Sequence, residues 1–65
     1  MDDLELLQLE YQMKREEFIM ARRTLAILER KAAGYTAFAM PAELEINLEE
    51  QKRKVADLEA KLQDL

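Results

Sequence analysis

The chain has 65 residues, of which 49 % are hydrophobic and 37 % charged, with one glycine, one proline and a net charge of −4. This balance is typical of long amphipathic helices and excludes a disordered tail. The chain has no cysteine and no histidine, which excludes disulfides, thiolate metal sites and the usual proton shuttle of enzymes. A folded chain of this length buries only about 60 % of its unfolded surface, so we expect it to be stabilised by a second protein surface.

The sequence also favours some compartments and partners over others. No apolar run approaches the ~18 residues of a membrane span, and the acidic start at Asp2 and Asp3 is opposite in charge to a signal peptide. We therefore expect a cytoplasmic protein without a membrane partner. The negative net charge disfavours a nucleic-acid partner, because binding to phosphates rewards an excess of Lys and Arg.

The first predicted helix covers about residues 3–33. Asp2 or Asp3 is its expected N-cap, because a carboxylate accepts from free backbone N–H groups and suits the positive end of the helix dipole. Residues then recur at alternating intervals of three and four, which is the a/d seam of a coiled coil with Lys14 as its one charged member. The seam of this helix consists of Leu4, Leu7, Tyr11, Lys14, Phe18, Ala21, Leu25, Leu28 and Ala32.

Residues 34–40 form the predicted turn. Gly34 is expected to end the first helix as a left-handed C-cap, and Pro41 is expected to begin the second helix, since its fixed φ suits a first helical position. The turn is unusually apolar at Tyr35, Phe38 and Met40. These side chains either fold over the end of the hairpin or form a knob that enters a pocket of a partner.

The second predicted helix covers about residues 41–64. Its seam follows the same spacing, with Gln51 as the polar interruption, and consists of Pro41, Leu44, Leu48, Gln51, Val55, Leu58, Leu62 and Leu65. A connection of about seven residues is too short to return the chain to the start of the first helix, so the helices run antiparallel. The predicted fold is an all-α, antiparallel two-helix coiled-coil hairpin.

The charges beside the two seams favour one register of this hairpin. If facing residue numbers sum to about 71, one flank pairs Glu10 with Lys61 and Glu17 with Lys54. The other flank is mixed, because an attractive pair, Arg15 with Glu59, is offset by unfavourable ones. Exposed pairs contribute only ~0–1 kcal/mol each, so they indicate register and not stability.

A second apolar stripe on the first helix is the candidate functional surface. Leu6, Met13, Met20 and Ile27 recur every seven residues, away from the seam, and are accompanied by Leu9 and Ile19. One interpretation is that these are ordinary exposed side chains. The interpretation that we favour is a protein interface, because a long exposed apolar patch promotes aggregation and methionine suits an adaptable docking surface.

The remaining features do not predict chemistry. An acidic row on the second helix, at Glu43, Glu50, Asp57 and Asp64, is best interpreted as a solvated face, because di-iron bundles pair such carboxylates with histidine. Basic doublets on the first helix are interleaved with acidic residues, which disfavours tracking of a phosphate backbone. We therefore expect no enzyme activity and no catalytic residue, cofactor, metal or small-molecule ligand.

The turn and the second helix resemble a family of short helical hairpins in bacterial signalling and defence proteins. In that family the hairpins lie beside STAND-type ATPase, TPR, TIR or caspase-like domains. The resemblance covers about half of the chain. Its pattern is the small and aromatic turn at 32–40, then Pro41, then Leu44 and Leu48, and then an acidic and basic helix with Leu58 and Leu62 near its end. It implies an intracellular interaction or assembly module.

The sequence thus predicts a protein–protein interaction module that associates with itself, as a homodimer or higher oligomer, and acts on no substrate. The second stripe would be buried between hairpins in a four-helix bundle. Two alternatives stay open. The hairpin is instead a heterologous docking module that packs on a neighbouring domain of a larger protein, or a small bundle that binds nucleic acid through the face of Arg22, Arg23, Arg30 and Lys31.

Overall fold

A computed structural model describes residues 2–64, which form two α-helices joined by a short loop. Helix α1 spans Asp3–Ala32 and helix α2 spans Ala42–Asp64. The two helices pack side by side and antiparallel in a rod of 54 × 16 × 15 Å. This confirms the prediction of an all-helical hairpin. Neither helix of the described region is long and apolar enough to cross a membrane.

The predicted seam forms the contact between α1 and α2. Ala21, Leu48 and Leu58 are its most buried members, with exposed fractions of 3 %, 9 % and 5 %. In both helices, every described residue that is not exposed occupies a predicted seam position. The 3/4 spacing therefore identified the whole buried face. The seam position Leu65 lies outside the described residues.

A single cross-helix hydrogen bond fixes the register of the seam. The side-chain Nε2 of Gln51 donates to the backbone oxygen of Ala21 at 3.1 Å, and Gln51 is half-buried. The small side chain of Ala21 leaves its carbonyl accessible to the facing helix. Because residue 21 lies opposite residue 51, facing numbers sum to about 72, which is close to the predicted register.

The predicted cross-helix ion pairs are wrong. Among residues 2–64, each of the two ion pairs within 4 Å joins residues of the same helix. Lys14 and Glu17 are 3.7 Å apart in α1, and Lys61 and Asp57 are 3.1 Å apart in α2. A partner one turn away on the same helix is already within reach of a flexible lysine. The aliphatic stem of Lys14 covers the seam while its ammonium group reaches this carboxylate at the surface.

The N-terminus of α1 is capped as predicted. Asp2 has an extended backbone, and its Oδ1 accepts a hydrogen bond of 2.7 Å from the amide of Glu5. Its own carbonyl accepts from the amide of Leu6 at 3.1 Å, which closes the first helical turn. The carboxylates of Asp3 and Glu5 add negative charge at the positive end of the helix dipole.

The left-handed C-cap predicted at Gly34 is wrong. No glycine of the described chain has a positive φ, and Ala33 ends α1 with right-handed angles of φ −62° and ψ −20°. The last carbonyls are satisfied by a tightening of the final turn, in which Gly34 donates to Lys31 at 3.2 Å and Tyr35 to Ala32 at 3.0 Å. These bonds to the third preceding residue do the work of a left-handed cap.

Pro41 precedes α2 as its N-cap. Its carbonyl accepts the first helical bond, of 3.1 Å, from the amide of Glu45, and Ala42 is the first helical residue. The helix therefore begins one residue later than the predicted start at Pro41. Proline suits this place because it contributes no amide that would need a partner, and it keeps Met40 out of helical conformation.

Replacement of the register residue tests the cross-helix bond. We expect Gln51→Ala to lower the free energy of unfolding by about 0.5–1.5 kcal/mol, because one hydrogen bond is lost while the Ala21 carbonyl keeps its helical partner. Urea unfolding followed by circular dichroism measures this. Gln63→Ala, an exposed glutamine on the same helix, is the matched control, and an equal loss in both variants would contradict the role of the bond.

The glycine of the turn is expected to be replaceable. A Cβ at Gly34 would meet only the Lys31 carbonyl oxygen, at 3.4 Å, and the backbone there needs no positive φ. Gly34→Ala should therefore leave the free energy of unfolding unchanged or raise it by up to ~1 kcal/mol, since alanine restricts the unfolded chain. Thermal unfolding measures the change, and a clear loss of stability would show that the turn does require glycine.

Candidate protein-interaction surface

The second apolar stripe of α1 is exposed along its whole length. The exposed fractions are 45 % for Leu6, 55 % for Met13, 59 % for Met20 and 55 % for Ile27. The accompanying residues Leu9 and Ile19 are 42 % and 41 % exposed. Helix α2 thus covers the seam of α1 and leaves all six of these side chains in contact with solvent.

The centre of the stripe borders an open groove between the helices. Met13 and Met20 line one wall, and the floor includes Ala21 and Gln51 at the point where the register is fixed. The same groove is lined by Glu16, Glu17, Thr24 and Lys54. The hydroxyl of Thr24 is bonded within α1, where it donates to the carbonyl of Met20 at 3.1 Å. A flexible thioether pair beside a shallow groove is a surface that a second helix can pack against.

The N-terminal turns of α1 extend beyond the end of α2. In the observed register, Asp64 faces about residue 8 of α1, so the first turns of α1 have no facing helix. The seam residues Leu4 and Leu7 are consequently 65 % and 55 % exposed, and Tyr11, which faces the last turn of α2, is 44 % exposed. Leu6 and Leu9 are exposed on the same turns, so this end of α1 presents apolar side chains on more than one face.

The three apolar residues of the tip, Tyr35, Phe38 and Met40, differ in their exposure to solvent. Met40 is half-buried, and Tyr35 lines a depression with Leu28 and Leu44 while 47 % of it stays exposed. Of the two interpretations of the tip, folding over the hairpin end does not hold for Phe38, whose exposed fraction is 103 %. Phe38 lies in a tight turn, where Ala39 and Met40 both donate to the carbonyl of Thr36 at 3.1 Å, and this turn directs the ring away from the helices.

One exposed apolar residue, Ile46, belongs to neither the seam nor the stripe. Ile46 of α2 is 54 % exposed and lies opposite the seam. It is isolated among acidic neighbours, so no repeat in the sequence points to it. The acidic row at Glu43, Glu50, Asp57 and Asp64 is exposed along the same helix. Residues 2–64 hold no group of three or more potential ligands close enough together to bind a metal ion.

Comparison with known proteins gives no relative. No protein-family model, no curated protein and no solved structure matches the chain. The functional inference therefore depends on the surfaces of the hairpin itself.

The exposure of the tip gives a test in solution. We expect Phe38→Ser to change the free energy of unfolding by less than ~0.5 kcal/mol, because the ring makes no buried contact. Met40→Ser, two residues away, should lower it by about 1 kcal/mol, because part of an apolar side chain loses its cover. Urea unfolding compares the two variants, and an equal or larger loss at Phe38 would place its ring in the folded core.

Proposed function

We propose that this protein is a self-association module, in which copies of the hairpin meet through the exposed stripe of α1. The single observation that carries the proposal is the exposure of Leu6, Met13, Met20 and Ile27 at a strict seven-residue interval on a folded hairpin. A patch of this kind is uncommon on soluble monomers and marks an interaction site. The module would hold proteins together and perform no reaction.

The surface area of the hairpin supports association. The chain exposes 5503 Å², whereas a compact protein of its mass exposes about 4,300 Å². The difference exceeds the ~800 Å² that each partner contributes to a standard interface. Lateral pairing of two rods removes this kind of excess area from water, because the long sides of the rods are then in contact.

The distribution of apolar residues favours α1 as the contacting helix. The outer face of α2 carries a row of four exposed carboxylates, and two such rows would repel each other if they met. The stripe of α1 has no such row along its centre. Two hairpins joined through α1 would form a four-helix assembly in which the stripes are buried and the acidic faces of α2 stay in water.

A second candidate, heterologous docking, is favoured by the exposed seam residues Leu4, Leu7 and Tyr11. They continue the face that packs on α2, so a helix from a neighbouring domain would extend the same seam. The resemblance of the turn further suggests recruitment in a bacterial signalling or defence system. That biological context is a separate proposal, supported only by the turn and the seam residues that follow it.

Introduction of charge into the stripe tests self-association. We expect Met13→Lys combined with Met20→Lys to convert the oligomer to monomer, because each lysine would carry a charge into the apolar contact. Light scattering on a sizing column over a range of concentrations gives the mass, and circular dichroism gives the helix content. The helix content should persist, since both positions are exposed in the single hairpin.

The matched control places the same two charges on α2. Ala56→Lys combined with Ala60→Lys alters exposed residues away from the stripe and should leave the mass unchanged. An unmodified protein that is monomeric at every concentration would refute self-association. A monomer of low helix content would instead favour the heterologous docking module.

A further inference from the structure

The charges of α1 are sorted along its length. Asp2, Asp3, Glu5 and Glu10 are the charged residues of the segment 2–12, and together they equal the net charge of the whole chain, −4. The segment 21–32 carries Arg22, Arg23, Arg30 and Lys31 against a single Glu29. One end of the helix is therefore strongly acidic and the other basic.

This sorting is sharpest beside the apolar stripe. On a helix, the neighbours of a residue are those three and four positions away. Among the neighbours of the four stripe residues, every charged residue that precedes Met20 in the chain is acidic and every charged residue that follows it is basic. In chain order these neighbours are Asp2, Asp3, Glu10, Glu16, Glu17, Arg23, Arg30 and Lys31, and every one of them is exposed.

The three basic neighbours lack ion-pair partners in the hairpin. Within the described residues, neither Arg23, Arg30 nor Lys31 has a carboxylate oxygen within 4 Å. Likewise, neither Asp3 nor Glu10 has a described lysine or arginine nitrogen within 4 Å. These charges are thus free to meet a second molecule.

We propose that two hairpins pair antiparallel through α1, around a two-fold axis that passes between Met13 and Met20. This inference rests on the proposed self-association and specifies its geometry. If facing residue numbers sum to 33, Leu6 meets Ile27 of the second copy and Met13 meets Met20. The two-fold axis brings the same flank of both helices together, so this register pairs Asp2 with Arg30 and Asp3 with Lys31, and each pair occurs twice.

The opposite orientation is electrostatically unfavourable. In a parallel pair the two different flanks of the stripe meet at the same height, so Asp2 would face Asp3, Glu16 would face Glu17 and Arg30 would face Lys31 of the second copy. Like charges in contact are destabilising by amounts similar to those that opposite charges contribute. The stripe alone does not select an orientation, since its residues are all apolar, so the flanking charges decide it.

Two contacts in the antiparallel pair are repulsive. Near the two-fold axis, Glu16 faces Glu16 of the other copy and Glu17 faces Glu17. Cations lie close by in the same hairpin, because the ammonium of Lys14 is 3.7 Å from Glu17 and Lys54 lines the groove that contains both glutamates. These lysines reduce the repulsion at the centre, while the attractive pairs lie toward the two ends.

Disulfide cross-linking distinguishes the orientations, and the chain offers a background without cysteine. Leu6→Cys and Ile27→Cys are prepared as separate proteins, mixed in a glutathione redox buffer and analysed by mass spectrometry. The antiparallel pair brings Cys at 6 next to Cys at 27 of the other copy. Two copies of position 6 would then lie about 31 Å apart along the helix axis, beyond the reach of a disulfide.

We expect the mixed 6–27 dimer to be the main covalent product and each protein alone to give only background dimer. Efficient 6–6 and 27–27 dimers from the separate proteins would overturn the antiparallel arrangement while leaving self-association in place. If the unmodified protein is monomeric by light scattering, both proposals fail. Light scattering on the two reduced variants establishes that they still associate before oxidation.

Charge reversal supplies an independent measurement. Lys31→Glu places acid against Asp3 of the second copy, twice in each dimer, and we expect the dimer to weaken about tenfold. Adding Asp3→Lys to the same chain restores opposite charges in the antiparallel register and should recover most of the affinity. A double variant that stays as weak as the single variant would overturn the assigned register. Sedimentation equilibrium at low salt gives the dissociation constants.

Discussion

The packing of α1 on α2 along one seam determines everything else in this hairpin. The seam is narrow, since Ala21, Leu48 and Leu58 are the only buried residues among 2–64, and the hydrogen bond from Gln51 to the carbonyl of Ala21 crosses it. Ala21 is small enough to let α2 approach closely, and Gln51 supplies the donor that reaches the carbonyl of Ala21. Once this contact is set, the spacing of the seam places every other residue of the helices inside or outside.

The buried face was predictable because it depends on a repeat that extends over both helices. The cap at Asp2 was predictable as well, because its chemistry is local to one turn. The features that were missed depend on local backbone bonds and on the reach of single side chains, which no repeat in the sequence specifies. The last carbonyls of α1 accept hydrogen bonds without a left-handed Gly34, and Lys14 and Lys61 form ion pairs on their own helices and not across the seam. The orientation of Phe38 follows from backbone bonds in the turn, which no side-chain pattern encodes.

The candidate surface was predictable in position but incompletely in meaning. The seven-residue interval located the stripe, and the structure shows that α2 leaves it uncovered. The significance of the flanking charges needs the helical neighbours of the stripe, because acidic and basic residues look interleaved in the middle of α1 when it is read along the sequence. Among the neighbours one turn away from the stripe, the sorting by sign is complete. A surface can thus carry information on the orientation of its partner even where its apolar centre carries none.

The unequal length of the two helices has a consequence for motion. The first turns of α1 have a cap and a helix dipole to hold them but no facing helix, and an isolated helical segment of this length is marginal in water. Its amide hydrogens should exchange with solvent far faster than those beside the buried Ala21, although both sets belong to one continuous helix. Any partner that packs on this end would have to order it first, so part of the binding free energy would be spent on completing α1.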